Sequence, residues 1–155
     1  MTIAPGDTLP DLALTAPDGT QVRLADFKGR KLVLFFYPKD DTPGCTTENL
    51  DFSALADDFA KAGTALLGIS KDPPKKHAKF IAKNGLTAPL ASDAEDGGLS
   101  DALGFWTERS MYGRAYMGMV RSTVLIAADG KVAQVWSPVK VKGHAAEVLE
   151  AAQKI

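Results

Sequence analysis

Two stretches of the chain are apolar almost without a break. Leu32 to Tyr37 and Thr64 to Ile69 read as strands buried on both faces, because a half-exposed strand would alternate. Between them, from about Pro43 to Lys61, Leu50, Ala54, Leu55, Phe59 and Ala62 recur at helical spacing, while Glu48, Asp51, Asp57 and Asp58 leave that stripe. Strand, helix, strand predicts a parallel pair joined by a right-handed crossover. Upstream, Leu12 to Leu14 and Val22 to Leu24 flank the turn Pro17-Asp18-Gly19, which predicts an N-terminal β-hairpin. Downstream, a helix is expected over Pro73 to Lys83, capped by Asp72 and ended by Gly85. Ser122 to Ala127 is a further apolar strand, and Asp129-Gly130 turns it into Lys131 to Trp136, a half-exposed return strand. A last helix is expected from about Gly143 to Gln153. The pattern predicts an α/β fold with a central mixed sheet covered by helices. With no repeat and no linker-like break, one domain is expected over residues 1–155.

Composition narrows the function classes. Eighteen basic residues balance nineteen acidic ones, and the net charge of -1 predicts neither nucleic acid nor an anionic membrane as partner. No stretch approaches the ~20 apolar residues of a membrane span. Met1 to Pro10 holds no apolar run behind basic residues, so a cytoplasmic location is expected. The one cysteine, Cys45, excludes an internal disulfide and the paired-cysteine relay of a dithiol enzyme. His77 and His144 are far apart and have no second cysteine near them, so no metal centre is expected.

Cys45 draws attention by its position. The buried strand stops at Pro38, which cannot continue a ladder, and a polar loop leads to Thr42-Pro43, an N-cap residue followed by proline at the first helical position. Cys45 therefore falls in the first helical turn, where free N–H groups and the helix dipole favour a thiolate. Thiols so placed have pKa values lowered to roughly 3.5–7.5. Taken alone, the same cysteine also fits a small residue packed under the loop.

Pro38, Thr42 and Cys45 spell Pro-x-x-x-Thr-x-x-Cys, and this string resembles the active-site signature of peroxiredoxins. The longer PKDDTPGCTTEN is similar to the PrxQ, or bacterioferritin comigratory protein, branch. Leu24-Ala25-Asp26-Phe27-Lys28-Gly29, Met111-Tyr112-Gly113-Arg114-Ala115-Tyr116-Met117-Gly118, Arg121-Ser122-Thr123 and Asp129-Gly130 follow in the same order, so the likeness covers nearly the whole chain. It implies a thioredoxin-like fold and a thiol peroxidase acting on hydrogen peroxide and organic hydroperoxides. Cys45 would attack the peroxide and become a sulfenic acid. By the same resemblance, Thr42 would hydrogen-bond the sulfur and the peroxide, and Pro38 would shield the pocket from water. Arg121 would hold the thiolate and the charge on the breaking bond, and Glu48 would orient Arg121. Without the motif, Arg121 reads as a strand-end surface residue and Glu48 as a first-turn acid suited to the dipole.

The chain departs from that branch where many members carry a resolving cysteine. The fifth residue after Cys45 is Leu50, expected to pack in the core, and Lys75 to Lys83, where other members place theirs, has none. The sulfenic acid would then need a thiol from outside the chain: thioredoxin, glutaredoxin with glutathione, or another small thiol. No cofactor is implied, and the branch points to a monomer. The lysines around His77 suggest a solvated helix face that includes His77. Phe105, Trp106, Tyr112, Tyr116, Met117 and Met119 lack a period and fit either core or interface. Two other functions compete: a peroxide sensor or relay that passes oxidation to a partner protein, and a non-enzymatic thioredoxin-like module.

Overall fold

The structure is a computed structural model that describes residues 3–155; Met1 and Thr2, the start of the N-terminal segment read above for a leader, lie outside it. The hairpin is short, β1 (Leu14–Thr15) against β2 (Gln21–Val22), and a 3-10 turn over Leu24–Phe27 leads into β3 (Lys31–Phe36). Next come α1 (Pro43–Ala54), α2 (Ala56–Lys61), β4 (Thr64–Ser70), α3 (Pro74–Asn84) and β5 (Leu90–Ser92). A short α4 (Leu99–Ala102) precedes a separate hairpin of β6 (Trp106–Met111) and β7 (Arg114–Met119). β8 (Ser122–Ile126), β9 (Val132–Trp136) and α5 (His144–Gln153) complete the chain.

Seven strands form one mixed sheet in the order β2-β1-β5-β4-β3-β8-β9. β3 lies inside it, parallel to β4 through Leu32–Ala65 and Phe35–Gly68, and antiparallel to β8 through Val33–Leu125 and Phe36–Ser122. Neighbouring side chains of a strand point to opposite faces, so β3 supplies both halves of the core. Leu32, Leu34 and Phe36 join Leu67, Ile69, Val124 and Ile126 on one face. Val33, Phe35 and Tyr37 join Phe52, Phe59, Phe80, Val148 and Cys45 on the other. There Phe35 stacks on Phe52 at 4.3 Å between ring centroids. Full burial of such a side chain stabilises by roughly 1.5–3 kcal/mol, enough to fix α1 against the sheet.

Three expectations need correcting. The helix foreseen over Pro43 to Lys61 is two helices, because Leu55 leaves helical geometry at φ -99, ψ 5. Asp72 does not cap α3; Pro73 holds that position, and the Asp72 carboxylate instead accepts hydrogen bonds from Asp40 N–H and Ser70 Oγ. Leu50 is 42% exposed rather than packed. The inward stripe of α1 is Cys45, Glu48, Asn49 and Phe52, and five residues of helix rotate Leu50 about 140° away from Cys45. Gly85 does end α3, at φ 61, the left-handed geometry that glycine adopts without a Cβ penalty.

The segment from Phe105 to Met119 divides. Phe105 and Met119 are buried at its base, while Met111, Tyr112, Tyr116 and Met117 are exposed along the hairpin. Tyr112 and Gly113 both have positive φ, as a two-residue hairpin turn of this hand requires.

Candidate active site

The site lies where β3 ends. Tyr37 N–H still donates to Ile69 O at 3.0 Å, but Pro38 has no N–H, and the chain leaves the sheet as an exposed loop. Asp41, at φ 66, turns that loop into Thr42, an extended N-cap, with Pro43 at the first helical position. Thr46 N–H closes the first helical bond on Thr42 O at 2.9 Å. The N–H groups of Gly44 and Cys45 are thereby left without an intrahelical acceptor.

Cys45 sits in that first turn with only 1% of its surface exposed. Arg121, just before β8, reaches across from the neighbouring strand. Its Nη2 lies 3.4 Å from Cys45 Sγ, and its Nη1 donates to Glu48 Oε1 at 2.7 Å. Side-chain exposure is 17% for Arg121 and 1% for Glu48, so the pair is dry on the carboxylate side and open towards solvent on the guanidinium side. Gly44 makes the approach possible: a Cβ there would stand 3.1 Å from Arg121 Nη2.

Burial pushes the Glu48 carboxyl up to about 7, and the adjacent Arg121 charge offsets only part of that shift. Glu48 Oε2 is buried and has no hydrogen-bond partner, as expected of a group that holds a proton near neutrality. Burial alone would lower the Arg121 pKa, but the charges of Glu48 and Cys45 hold it above its ordinary value. The guanidinium therefore stays charged between an acid and a sulfur.

Cys45, Glu48 and Arg121 are thus brought together. Thr42 is close by, but its hydroxyl hydrogen goes to Lys39 O at 2.7 Å rather than to the sulfur, and its side chain makes no cap bond. Pro38 is exposed in the loop that ends β3.

Several neighbours escaped the sequence. Asn49 Nδ2 donates to Cys45 O at 2.9 Å from one turn further along α1. His144 Nε2 lies 2.8 Å from Thr123 Oγ1, and burial, followed by the Arg121 charge, lowers its pKa to about 4. His77 is not part of a solvated face. It is fully buried, 2.6 Å from Asp40 Oδ2, because His77 and Phe80 form the inner side of α3 while Lys75 and Lys79 face outward. Only the i, i+3 spacing of His77 with Phe80 could have suggested this.

The likeness to known proteins is extensive. Residues 5–135 match the AhpC/TSA family. The chain is 49% identical to Peroxiredoxin Bcp of Xanthomonas campestris over 141 residues, covering 91% of this chain and 88% of that one. It is 44% identical to Peroxiredoxin Bcp of Bacillus subtilis, covering 97% and 95%. A structure of the Xanthomonas campestris bacterioferritin comigratory protein, described with its alkyl peroxide reduction activity, aligns with TM-score 0.88 and 44% identity over 96% of this chain and 98% of that one. A mutant of Xylella fastidiosa PrxQ aligns with TM-score 0.92 and 39% identity over 99% and 98%.

Proposed function

This chain belongs to the AhpC/TSA family as a thiol-dependent peroxidase with a thioredoxin-like fold, and we propose that Cys45 carries its chemistry, with Arg121, Thr42, Glu48 and Pro38 arranged around it. One observation supports the assignment above all: the guanidinium 3.4 Å from the only sulfur of a cysteine in the chain.

Its substrate is a peroxide and its reductant a thiol. A lone pair of the Cys45 thiolate forms a bond to the terminal peroxide oxygen, and the O–O bond breaks. The terminal oxygen keeps its hydrogen, giving a sulfenic acid; the electron pair leaves on the distal oxygen, which takes a proton and departs as water or alcohol. Arg121 Nη2, beside the sulfur, lies where negative charge passes from sulfur to oxygen, and a donor fixed in advance at such a point lowers the barrier by about 3 kcal/mol. Glu48 holds the other arm of the fork. Thr42 Oγ1 has committed its hydrogen to Lys39 O, so its lone pairs are left to accept from the peroxide O–H. Pro38 keeps the loop clear of the sheet ladder at the pocket edge.

With one cysteine, the sulfenic acid is resolved by an external thiol: water leaves, a mixed disulfide forms, and a second thiol frees Cys45. Thioredoxin, glutaredoxin with glutathione, or another small thiol can fill that role. Hydrogen peroxide and organic hydroperoxides are the proposed substrates, in line with the alkyl peroxide reduction described for the Xanthomonas campestris relative. We further place the protein in the cytoplasm, whose reducing poise keeps a lone cysteine as a thiol, and take it to work as a single-domain monomer.

Peroxide consumption, coupled to NADPH oxidation with thioredoxin and its reductase and with glutaredoxin, glutathione and glutathione reductase, and followed directly as peroxide loss with dithiothreitol, tests the proposal. Wild type turns over with at least one reductant and Cys45→Ser with none. A Cys45→Ser variant that keeps its activity, or a wild type inert with all three, overturns it.

A further inference from the structure

A second buried polar cluster lies behind the active-site loop and touches no reacting atom. Asp40 Oδ1 accepts from Tyr37 OH at 2.6 Å, and Asp40 Oδ2 meets His77 Nδ1 at 2.6 Å. Ser70 Oγ lies 3.4 Å from His77 Nε2 and donates to Asp72 Oδ2 at 2.7 Å. Tyr37, Asp40, Ser70 and His77 are all buried. Burial, and then the Asp40 charge, raise the Tyr37 pKa well above its ordinary 10, so the phenol remains a donor. Asp40, Asp72 and His77 have the composition of a cation site, with ligand atoms within 4.8 Å of one another. Their carboxylate oxygens are already taken by Tyr37, His77, Ser70, Asp40 N–H and Lys76, so the protein itself fills the positions a cation would need.

Such a cluster is costly to bury, and an apolar set of equal volume would stabilise the core at least as well. Its position gives it another use. The peptide between Lys39 and Asp40 is gripped at both ends. Its N–H donates to Asp72 Oδ2 at 2.8 Å, and its C=O accepts the Thr42 hydroxyl at 2.7 Å. The Asp40 side chain, anchored by Tyr37 and His77, fixes the residue on one side of that plane, and Ser70 and Lys76 fix Asp72.

We propose that His77, Asp40, Tyr37 and Asp72 are positioning residues for peroxide reduction, acting through the Lys39–Asp40 peptide to aim the Thr42 hydroxyl at the bound peroxide. This rests on the role proposed for Thr42. The cluster affects how a peroxide is held and leaves the sulfur's intrinsic nucleophilicity alone.

Two rates at Cys45 separate these effects: oxidation by hydrogen peroxide, followed by tryptophan fluorescence, and alkylation by iodoacetamide, which has no O–H for Thr42 to accept. Thr42→Val is expected to slow oxidation while alkylation stays within about twofold. His77→Leu should lose roughly 10- to 100-fold in oxidation, the scale of a misplaced catalytic group, with alkylation again unchanged. Tyr37→Phe, which deletes one hydroxyl and is the safer variant to fold, should lose less in the same direction, and His77→Gln should recover part of the loss. In the Thr42→Val background the His77 and Tyr37 substitutions should have no further effect on oxidation, since residues acting through one group are not additive. An equal fold-loss in both backgrounds, or a parallel loss of alkylation, overturns the positioning role. A Thr42→Val variant that oxidises at the wild-type rate instead removes the role of Thr42, while Cys45→Ser still tests the peroxidase site separately.

Discussion

Two buried side-chain pairs bracket the first turn of α1, and they differ in what they leave open. Arg121–Glu48 is dry at its carboxylate and keeps one arm of the guanidinium on the Cys45 sulfur. His77–Asp40 is dry throughout, and both Asp40 oxygens are occupied. The first pair can respond when charge moves from sulfur to oxygen, because its cation has a free face. The second is saturated and can only hold geometry. On the reading proposed above, the open guanidinium face beside the sulfur serves electrostatic stabilisation, and the filled network behind the loop serves alignment.

Arg121→Ala breaks this contrast most strongly. It should slow oxidation of Cys45 by peroxide by about 100- to 1000-fold with the fold retained, the range for losing one preorganised donor. Stopped-flow oxidation with circular dichroism as control measures both, and a rate within a few-fold of wild type would overturn the role proposed for Arg121 beside the sulfur.

Glu48→Gln sharpens the comparison through pH. Glu48 titrates at about 7 when folded against 4.5 when free, so between those values the folded state holds a proton the unfolded chain has released. Its contribution to stability therefore falls as pH rises through that window, by on the order of 3 kcal/mol at most. His144 runs the other way: at about 4 when folded against 6.5 when free, it contributes stability that is lost as pH falls from 6.5 towards 4. The two slopes oppose each other between 4.5 and 6.5. In urea melts from pH 4 to 8, Glu48→Gln should steepen the acid-side loss by uncovering His144. Superimposable pH profiles for the variant and wild type would show that Glu48 keeps its charge throughout.

Lys83→Ala gives the smallest effect. Lys83 Nζ holds Asp41 at 2.9 Å, a second tie between the loop and α3 beside His77–Asp40, but both side chains are more than half exposed. Water screens such a pair, so stability should change by less than about 1 kcal/mol and peroxidase activity should not change. A large loss of activity would mean the loop is held from its surface rather than from the buried cluster.

The sequence disclosed those parts of the molecule whose surroundings repeat. β3, β4 and β8 lie inside the sheet, and their unbroken apolar runs placed them within a residue or two. Cys45, Arg121 and Glu48, 76 and 73 residues apart across the pairings with Arg121, were joined by a resemblance that no local pattern supplies. The β6–β7 hairpin stayed hidden because its outer half leaves the core, so burial never alternates along it. Leu50 misled because polar Glu48 and Asn49, rather than apolar residues, occupy the inward stripe of α1. His77 misled because it sits among lysines and its partner Asp40 is 37 residues away. Buried polar pairs leave little trace in composition, since each half alone looks like surface.

The most direct test of the central claim is to mix the reduced protein with one equivalent of hydrogen peroxide in the presence of dimedone and read the Cys45 peptide by mass spectrometry. The dimedone adduct on Cys45 is expected to accumulate in step with peroxide loss. Peroxide consumed while the Cys45 thiol stays unmodified would contradict it.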